Sequence, residues 1–565
     1  MRLALALLVL LLAPGLARAQ VPVTGIPPGW LPIVALHDIV DSRDELDTDA
    51  ITASSLVSFF DWLKHAGWTP VTLDDIAAAG EGRRALPPKP VLLTFDDGYR
   101  SFRTRLMPLL RAYRYPVVVA LVGAWMEGPP GGMVRYGDRE VPRARFITWA
   151  EAREMQASGL VEFASHSYGL HGAVRGNPQG NELPAAAAWA YDPATGRYED
   201  DAALQARVER DLRRAMEMHR RELGRAPRAL VWPFGRYVGP SLAAAKRVGF
   251  RFALTLDPQP ADPGTPMALA RFYPSQAPEV ASIVDNLRFR PDGPPALRLV
   301  CADSGAVAGA ADQDAALGKL IESVRTLGAN MAVLDAHLPG AAGRLGAALY
   351  PTKLLPRGPD VLNRMVWQVR TRGGAEVFVR LDLAAAAASV GEARVAELVA
   401  DIVRMAPGDG LLLENAGSLA GAVSEAAIPD PLPWMVRARR AGLDAAALDP
   451  AGRLALEAFR RAEALRPGLR LMLRSNAVPD AGRWPAPAAD VVLTGATVPA
   501  LVQAGWIAPA ALSRVLPDLP SVPALRTAQR AGATGLAFCA DGPAALAQAA
   551  ARARDFSSAT FPLRP

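Results

Sequence analysis

Apolar runs that break into polar residues recur along the first half of the chain. "LPIVALHDIV" reads as a buried strand ending at His37 and Asp38, and "PVLLTFDDG" as a second ending at Asp96 and Asp97. "YPVVVALVG" is a third, and "LVEFASHSYGLHG" is a strand that runs into a polar loop. "RALVWPFGRY" and "RFALTLDPQ" supply two more. Between them lie helical patterns: "VTLDDIAAAG" begins after a Thr cap, and "ARVERDLRRAMEMHRRELG" is amphipathic and stops at Gly224. Strand and helix alternate, which predicts an α/β domain with a largely parallel sheet. One segment, "AVRGNPQGNELPAAAAWAYDPATGRYEDD", is rich in Gly, Pro and Asn and reads as a long irregular insertion.

After the Pro/Gly-rich linker at 289–296 the alternation restarts. Strand candidates end at Cys301, Asp335, Asp382, Glu414, Arg474, Thr494, Asp518 and Asp541, separated by alanine-rich helices. Eight βα units over 297–565 predict a (β/α)8-like barrel. Its first and last strands, "LRLVCAD" and "TGLAFCAD", would be neighbours on closure, placing Cys301 beside Cys539 as two buried thiols or a disulfide.

A chain of 565 residues exceeds one core, so two domains are expected. "MRLALALLVLLLAPGLARAQ" has a basic start, a short apolar run and small residues before Gln20, which predicts a signal peptide over 1–19 and a periplasmic or secreted product. No cysteine lies near that cut, so no lipid anchor is expected there. The formal charge is +6, but without a Lys/Arg cluster or aromatic interleaving it points to no nucleic-acid partner.

Polar groups gather at predicted strand ends: His37, Asp96, Asp97, His166 and His171. The C-terminal rim of parallel strands is where α/β folds build active sites. His166 and His171 are five apart in a loop that can turn both imidazoles to one point. Two imidazoles and a carboxylate are a common ligand set for a divalent first-row metal. One aspartate of the pair would bind the ion, relieving their repulsion, and the other would stay free as a base. Gly98 permits the tight turn that follows.

"TFDDGY", "SHSYGLH" and "WPFGRY" resemble the motif series of the polysaccharide deacetylases, carbohydrate esterase family 4. The early "ALHD", the His spacing, the insertion and "LTL…ARFYP" resemble more narrowly the PgaB-type poly-β-1,6-N-acetyl-D-glucosamine N-deacetylases of biofilm export. The resemblance implies a distorted (β/α)7-type deacetylase barrel over 30–288. It implies one divalent ion (Zn, Co, Ni or Fe) on Asp97, His166 and His171, with Asp96 as general base and His37 as general acid. It implies a backbone N–H near Tyr168 for the oxyanion. Trp232 and Leu254 would line an acetyl pocket, or simply pack in the core. The polymer is the implied substrate, and an outer-membrane export porin the implied partner.

In the same family the second barrel resembles a glycoside hydrolase. Its fourth strand would end in His-Asp-Asp, but "GLLLENAG" puts Glu414, Asn415 and Ala416 there. An amide or methyl group cannot protonate a glycosidic oxygen. Asp303, Asp335, Asp382, Glu414 and Asp541 remain as rim acids. These are expected to form a groove for the amines of deacetylated polymer, with Asp335, Asp382 and Glu414 at its centre. The alternatives are a second, glycosidase activity, or a chain that only binds polysaccharide as an export adaptor.

Overall fold

The computed structural model describes residues 26–475 apart from 47–48, 138, 258, 275–278, 288–296, 422 and 428–432. Beyond these it describes 483–486, 488–495, 498–503, 515–517 and 535–539. The expected signal peptide, the linker and Asp541 lie outside the described residues. No described helix is long and apolar enough to cross a membrane.

The first domain is built on a parallel sheet with strand order Ile33–Leu36, Pro90–Phe95, Val117–Leu121, Val161–Ser165, Ala229–Val231, Phe252–Leu254. Thr69–Pro70 pairs onto Pro90–Phe95 as a seventh strand. The sheet curls so that its last and first strands face the same irregular segment. Leu269 bridges Leu254, and three residues later Phe272 bridges Val34. That segment stands in for a strand and makes the barrel a distorted one. Ile33, Leu92, Val118, Val231 and Leu254 fill the interior, and the helices pack a second apolar layer outside.

The helix boundaries follow local chemistry. Thr72 caps Leu73–Gly80 through the Asp75 N–H, and Asp75 bonds back to the Thr72 N–H. Asp201–Leu223 starts on an Asp200 cap and ends at Gly224, whose φ of 74° is the left-handed stop expected there. His219, which the sequence sets among charged residues, is 1% exposed on the inner face of that helix.

The long insertion is not irregular throughout. It folds as two short hairpins, Ala173–Arg175 with Glu182–Pro184 and Tyr191–Asp192 with Arg197–Tyr198. Strands of two or three residues are too brief to leave an alternating pattern in the sequence. The insertion docks on the second domain: Asn177 Nδ2 donates to Asn363 Oδ1 at 2.9 Å, Tyr198 Oη to Asp360 Oδ2 at 2.9 Å, and Arg404 binds both Asp201 oxygens at 2.9 Å.

Burial pushes the Asp360 carboxyl up to about 6, against the opposing Tyr198 hydrogen bond. A carboxyl whose folded pKa lies above its unfolded value penalises the fold wherever it must ionise. The penalty is absent below about pH 4 and complete above about pH 6. Asp360→Asn is therefore expected to raise the unfolding free energy at pH 8, by about 1–3 kcal/mol, and to leave it unchanged at pH 3.5. Paired denaturant titrations at the two pH values check this.

In the second domain eight strands stand in chain order around a parallel sheet: Arg298–Ala302, Met331–Asp335, Glu376–Asp382, Gly410–Glu414, Arg470–Arg474, Val491–Thr494, Val515–Pro517 and Leu536–Phe538. The last pairs in parallel with the first, Val300 opposite Phe538. Cys301 and Cys539 form a disulfide across that seam, with Cα atoms 4.6 Å apart.

Candidate metal centre

The five polar residues at the ends of strands converge. The strands Ile33–Leu36 and Pro90–Phe95 are in register, Leu36 opposite Phe95, and the Asp96 N–H donates to the Leu36 carbonyl at 2.9 Å. His37 and Asp96 therefore leave the sheet side by side. Asp97 and Gly98 both take left-handed backbone, φ 76° and 74°. The turn thus needs more than the glycine: Asp97 itself occupies a region that costs a non-glycine residue energy. A side chain at Gly98 would put its Cβ 2.7 Å from Leu121 Cδ2.

Asp97 Oδ1 lies 3.5 Å from His166 Nε2 and 3.4 Å from His171 Nε2. These three residues are the one group among the described residues with donor atoms close enough to share an ion. His166 Nδ1–H donates to the Val231 carbonyl at 2.7 Å, which fixes the tautomer with a lone pair on Nε2. Asp97 Oδ2 accepts from the Tyr136 hydroxyl at 2.9 Å, while Oδ1 is buried with no hydrogen-bond partner. Burial works to raise the Asp97 carboxyl, but His171, His37 and His166 outweigh it and hold the group far below the usual carboxylate range. Burial pushes His166 down to about 4, so the imidazole is neutral and free to ligate. A buried, ionised oxygen facing two imidazole nitrogens is a donor set that fits a divalent ion.

Asp96 is held differently. It is 2% exposed, and its Oδ1 accepts from Arg271 Nη1 at 2.9 Å. Arg271 is itself fully enclosed and also donates to Thr94 Oγ1 at 2.9 Å and to the Thr255 carbonyl at 3.2 Å. It comes from the segment that closes the barrel between Leu269 and Phe272. Burial works to raise the Asp96 carboxyl; Arg271, His166 and His37 together hold it lowered and ionised. His37 Nε2 stands 3.9 Å from Asp96 Oδ2. Sequence reasoning did not single out Arg271 or Tyr136. The only trace of the first is its place inside "ARFYP"; the second sits in a hairpin, Met133–Tyr136 with Arg139–Pro142, that the apolar pattern does not reveal.

Other expected site residues fall elsewhere. The Tyr168 N–H is already engaged, donating to Asp211 Oδ1 at 2.9 Å, and the Gly169 N–H donates to Oδ2 at 2.7 Å. Its ring lies against the Arg214 guanidinium and its hydroxyl donates to Glu127. The loop is thereby stapled to the Asp201–Leu223 helix, and this N–H is not open to an oxyanion. Trp232 and Leu254 are both fully buried in apolar clusters, Trp232 stacked on Tyr237 at 5.3 Å, which is the core-packing alternative.

On the second barrel the expected acidic groove is largely neutralised. Asp335 binds Arg380 through two hydrogen bonds of 2.6 and 2.9 Å, from the residue opposite it on the next strand. Glu414 accepts from Arg474 at 2.8 Å. Asp382 caps the helix that follows its strand and accepts from Asn415 Nδ2 at 2.8 Å. Asp303 likewise caps a helix.

The polysaccharide deacetylase family profile matches residues 83–253. The chain is 30% identical to the poly-β-1,6-N-acetyl-D-glucosamine N-deacetylase of Escherichia coli (strain K12) over 347 residues, which are 61% of this chain and 52% of that protein. It thus spans about half the length of that relative. A solved de-N-acetylase from Aggregatibacter actinomycetemcomitans is 34% identical and aligns with 45% of this chain and 99% of its own, with a TM-score of 0.42. The deacetylase domain of BpsB from Bordetella bronchiseptica is 39% identical over 44% of this chain and 97% of its own, with a TM-score of 0.40. Residues 83–253, which hold Asp96, Asp97, His166 and His171, are a polysaccharide deacetylase domain.

Proposed function

We propose that this chain is a metal-dependent N-deacetylase of poly-β-1,6-N-acetyl-D-glucosamine, acting on the polymer during its export. The observation that carries the reading is the convergence of Asp97 Oδ1 with two imidazole nitrogens at 3.4 and 3.5 Å, the oxygen having no hydrogen-bond partner. The similarity to the Escherichia coli poly-β-1,6-N-acetyl-D-glucosamine N-deacetylase supports the substrate.

Asp97, His166 and His171 would hold the ion. When bound, it supplies Lewis acidity to the acetamide carbonyl and to the attacking water. Asp96 is kept ionised by Arg271 and stands beside the ligand set as the base that takes the water proton. His37, whose Nε2 is 3.9 Å from Asp96 Oδ2, would protonate the departing amine. Tyr136 anchors the second oxygen of Asp97 and so aims the first at the imidazoles.

The ion is zinc, cobalt, nickel or iron, since imidazole and carboxylate ligate all four. The apolar stretch read as a leader over 1–19 supports a periplasmic product, with an outer-membrane porin as its export partner. The second barrel, with its rim acids engaged by arginines and helix caps, acts as a scaffold beside the deacetylase rather than as a second hydrolase.

Acetate release from β-1,6-linked N-acetylglucosamine oligomers tests the reading. Dialysis against a strong chelator is expected to abolish release, and divalent ions added one at a time to restore it. Undiminished turnover after chelation, with the removal of metal verified, rules the mechanism out.

A further inference from the structure

Among the described residues two large hydrophobic side chains are left exposed, Met133 at 52% and Phe234 at 45%. Both line the same cleft, of about 720 Å³, and His171 lines it too. Phe234 is held there at some cost. Its backbone is left-handed, φ 58°, and its ring packs 4.6 Å from His171. The opposite wall does not come from the deacetylase domain. Trp367 and Arg370, three residues apart on one face of the Leu362–Gly373 helix, reach it from the second barrel. Arg236 of the deacetylase domain meets them there. It stands 3.8 Å from Asp409, the carboxylate that Arg370 also binds at 3.0 Å, so two guanidinium groups share one counter-charge.

We propose that this cleft is a sugar subsite next to the reacting unit, built by both domains, and that it takes a neutral N-acetylated hexosamine of the same polymer. The inference rests on the deacetylase reading and deepens it. Three features argue for this occupant. The cleft is continuous with the ligand set through His171. Its apolar and aromatic surfaces, Phe234, Met133 and Trp367, suit the flat C–H faces of a pyranose, as aromatic rings do when one face stays wet. The excess of guanidinium over carboxylate disfavours an ammonium group, so an acetylated neighbour fits better than a glucosamine. On this assignment the second barrel is a working part of the deacetylase.

The test compares two substrates on the full chain: an N-acetylglucosamine hexamer, which fills the subsite, and a small chromogenic acetate ester, which reaches only the metal centre. Trp367→Ala is expected to raise KM for the hexamer about five- to tenfold while kcat and ester hydrolysis stay unchanged. Trp367→Phe is expected to recover most of the loss. Met133→Ser alters an exposed residue outside the core, and is expected to move KM in the same direction. A hexamer KM within twofold of the wild type in both Trp367→Ala and Met133→Ser overturns the subsite while leaving the deacetylase reading in place. A wild-type chain that hydrolyses the ester but releases no acetate from the hexamer overturns the substrate assignment itself, and the subsite with it.

Discussion

Asp97→Asn is expected to lose bound metal and to lower acetate release roughly a thousandfold or more, with the fold intact. The substitution isolates one property. Asparagine tolerates left-handed backbone, so the φ of 76° stays accessible. Its amide oxygen can still accept the Tyr136 hydroxyl, which donates to Oδ2 at 2.9 Å in the parent. What disappears is the negative charge on the atom that faces His166 and His171. A neutral amide is a weak ligand for a first-row divalent ion, and two imidazoles alone leave the ion poorly held. Metal per chain, measured by elemental analysis after gel filtration, should fall with activity. A variant that retains one ion per chain and more than a tenth of the turnover contradicts the assignment of Asp97.

The second large effect is at Arg271. Its guanidinium is fully enclosed and pairs with Asp96, itself 2% exposed. Removing one partner of a buried pair leaves the other charge stranded, which costs about 3–5 kcal/mol. Arg271→Met should therefore lower the unfolding free energy by that order and reduce kcat about a hundredfold, because the carboxylate loses the contact that holds it ionised and aimed. Arg271→Lys keeps a charge and is expected to recover part of both. Arg271 touches Asp96 and no reacting atom, so it is a positioning residue. A kcat in Arg271→Met within threefold of the parent would dismiss that role.

The difference between these two sites explains what the sequence could reveal. Asp96, Asp97 and His166 sit directly after apolar runs, and His171 follows His166 in the same short loop, so local pattern locates them. A parallel sheet then brings the ends of its strands to one rim. Arg271 is 175 positions from Asp96 on a segment without regular structure, in a chain rich in arginine. Beyond its place inside "ARFYP" nothing local marks it; closure of the barrel between Leu269 and Phe272 brings it to Asp96. Tyr136 belongs to a four-residue strand whose partners are mostly exposed, so no apolar alternation announces it. On the second barrel the acids were legible as strand-end residues, but their neutralisation was not. Asp335 meets Arg380 through cross-strand register, 45 positions apart in the chain. At Asp335 and Glu414 the acidic groove loses charge for that reason: charge along the sequence does not show which charges face one another.

The strands of the second barrel succeed one another around the ring, so the chain enters and leaves at adjacent staves. Such a hoop has one place where it can part without breaking a chain connection, between the first stave and the last. The Cys301–Cys539 bond lies there, like a rivet through overlapping ends. The last strand is therefore tied to the first while the bond is intact, and the one joint of the ring without strand pairing among the described residues, between Val515–Pro517 and Leu536–Phe538, lies beside the bonded seam.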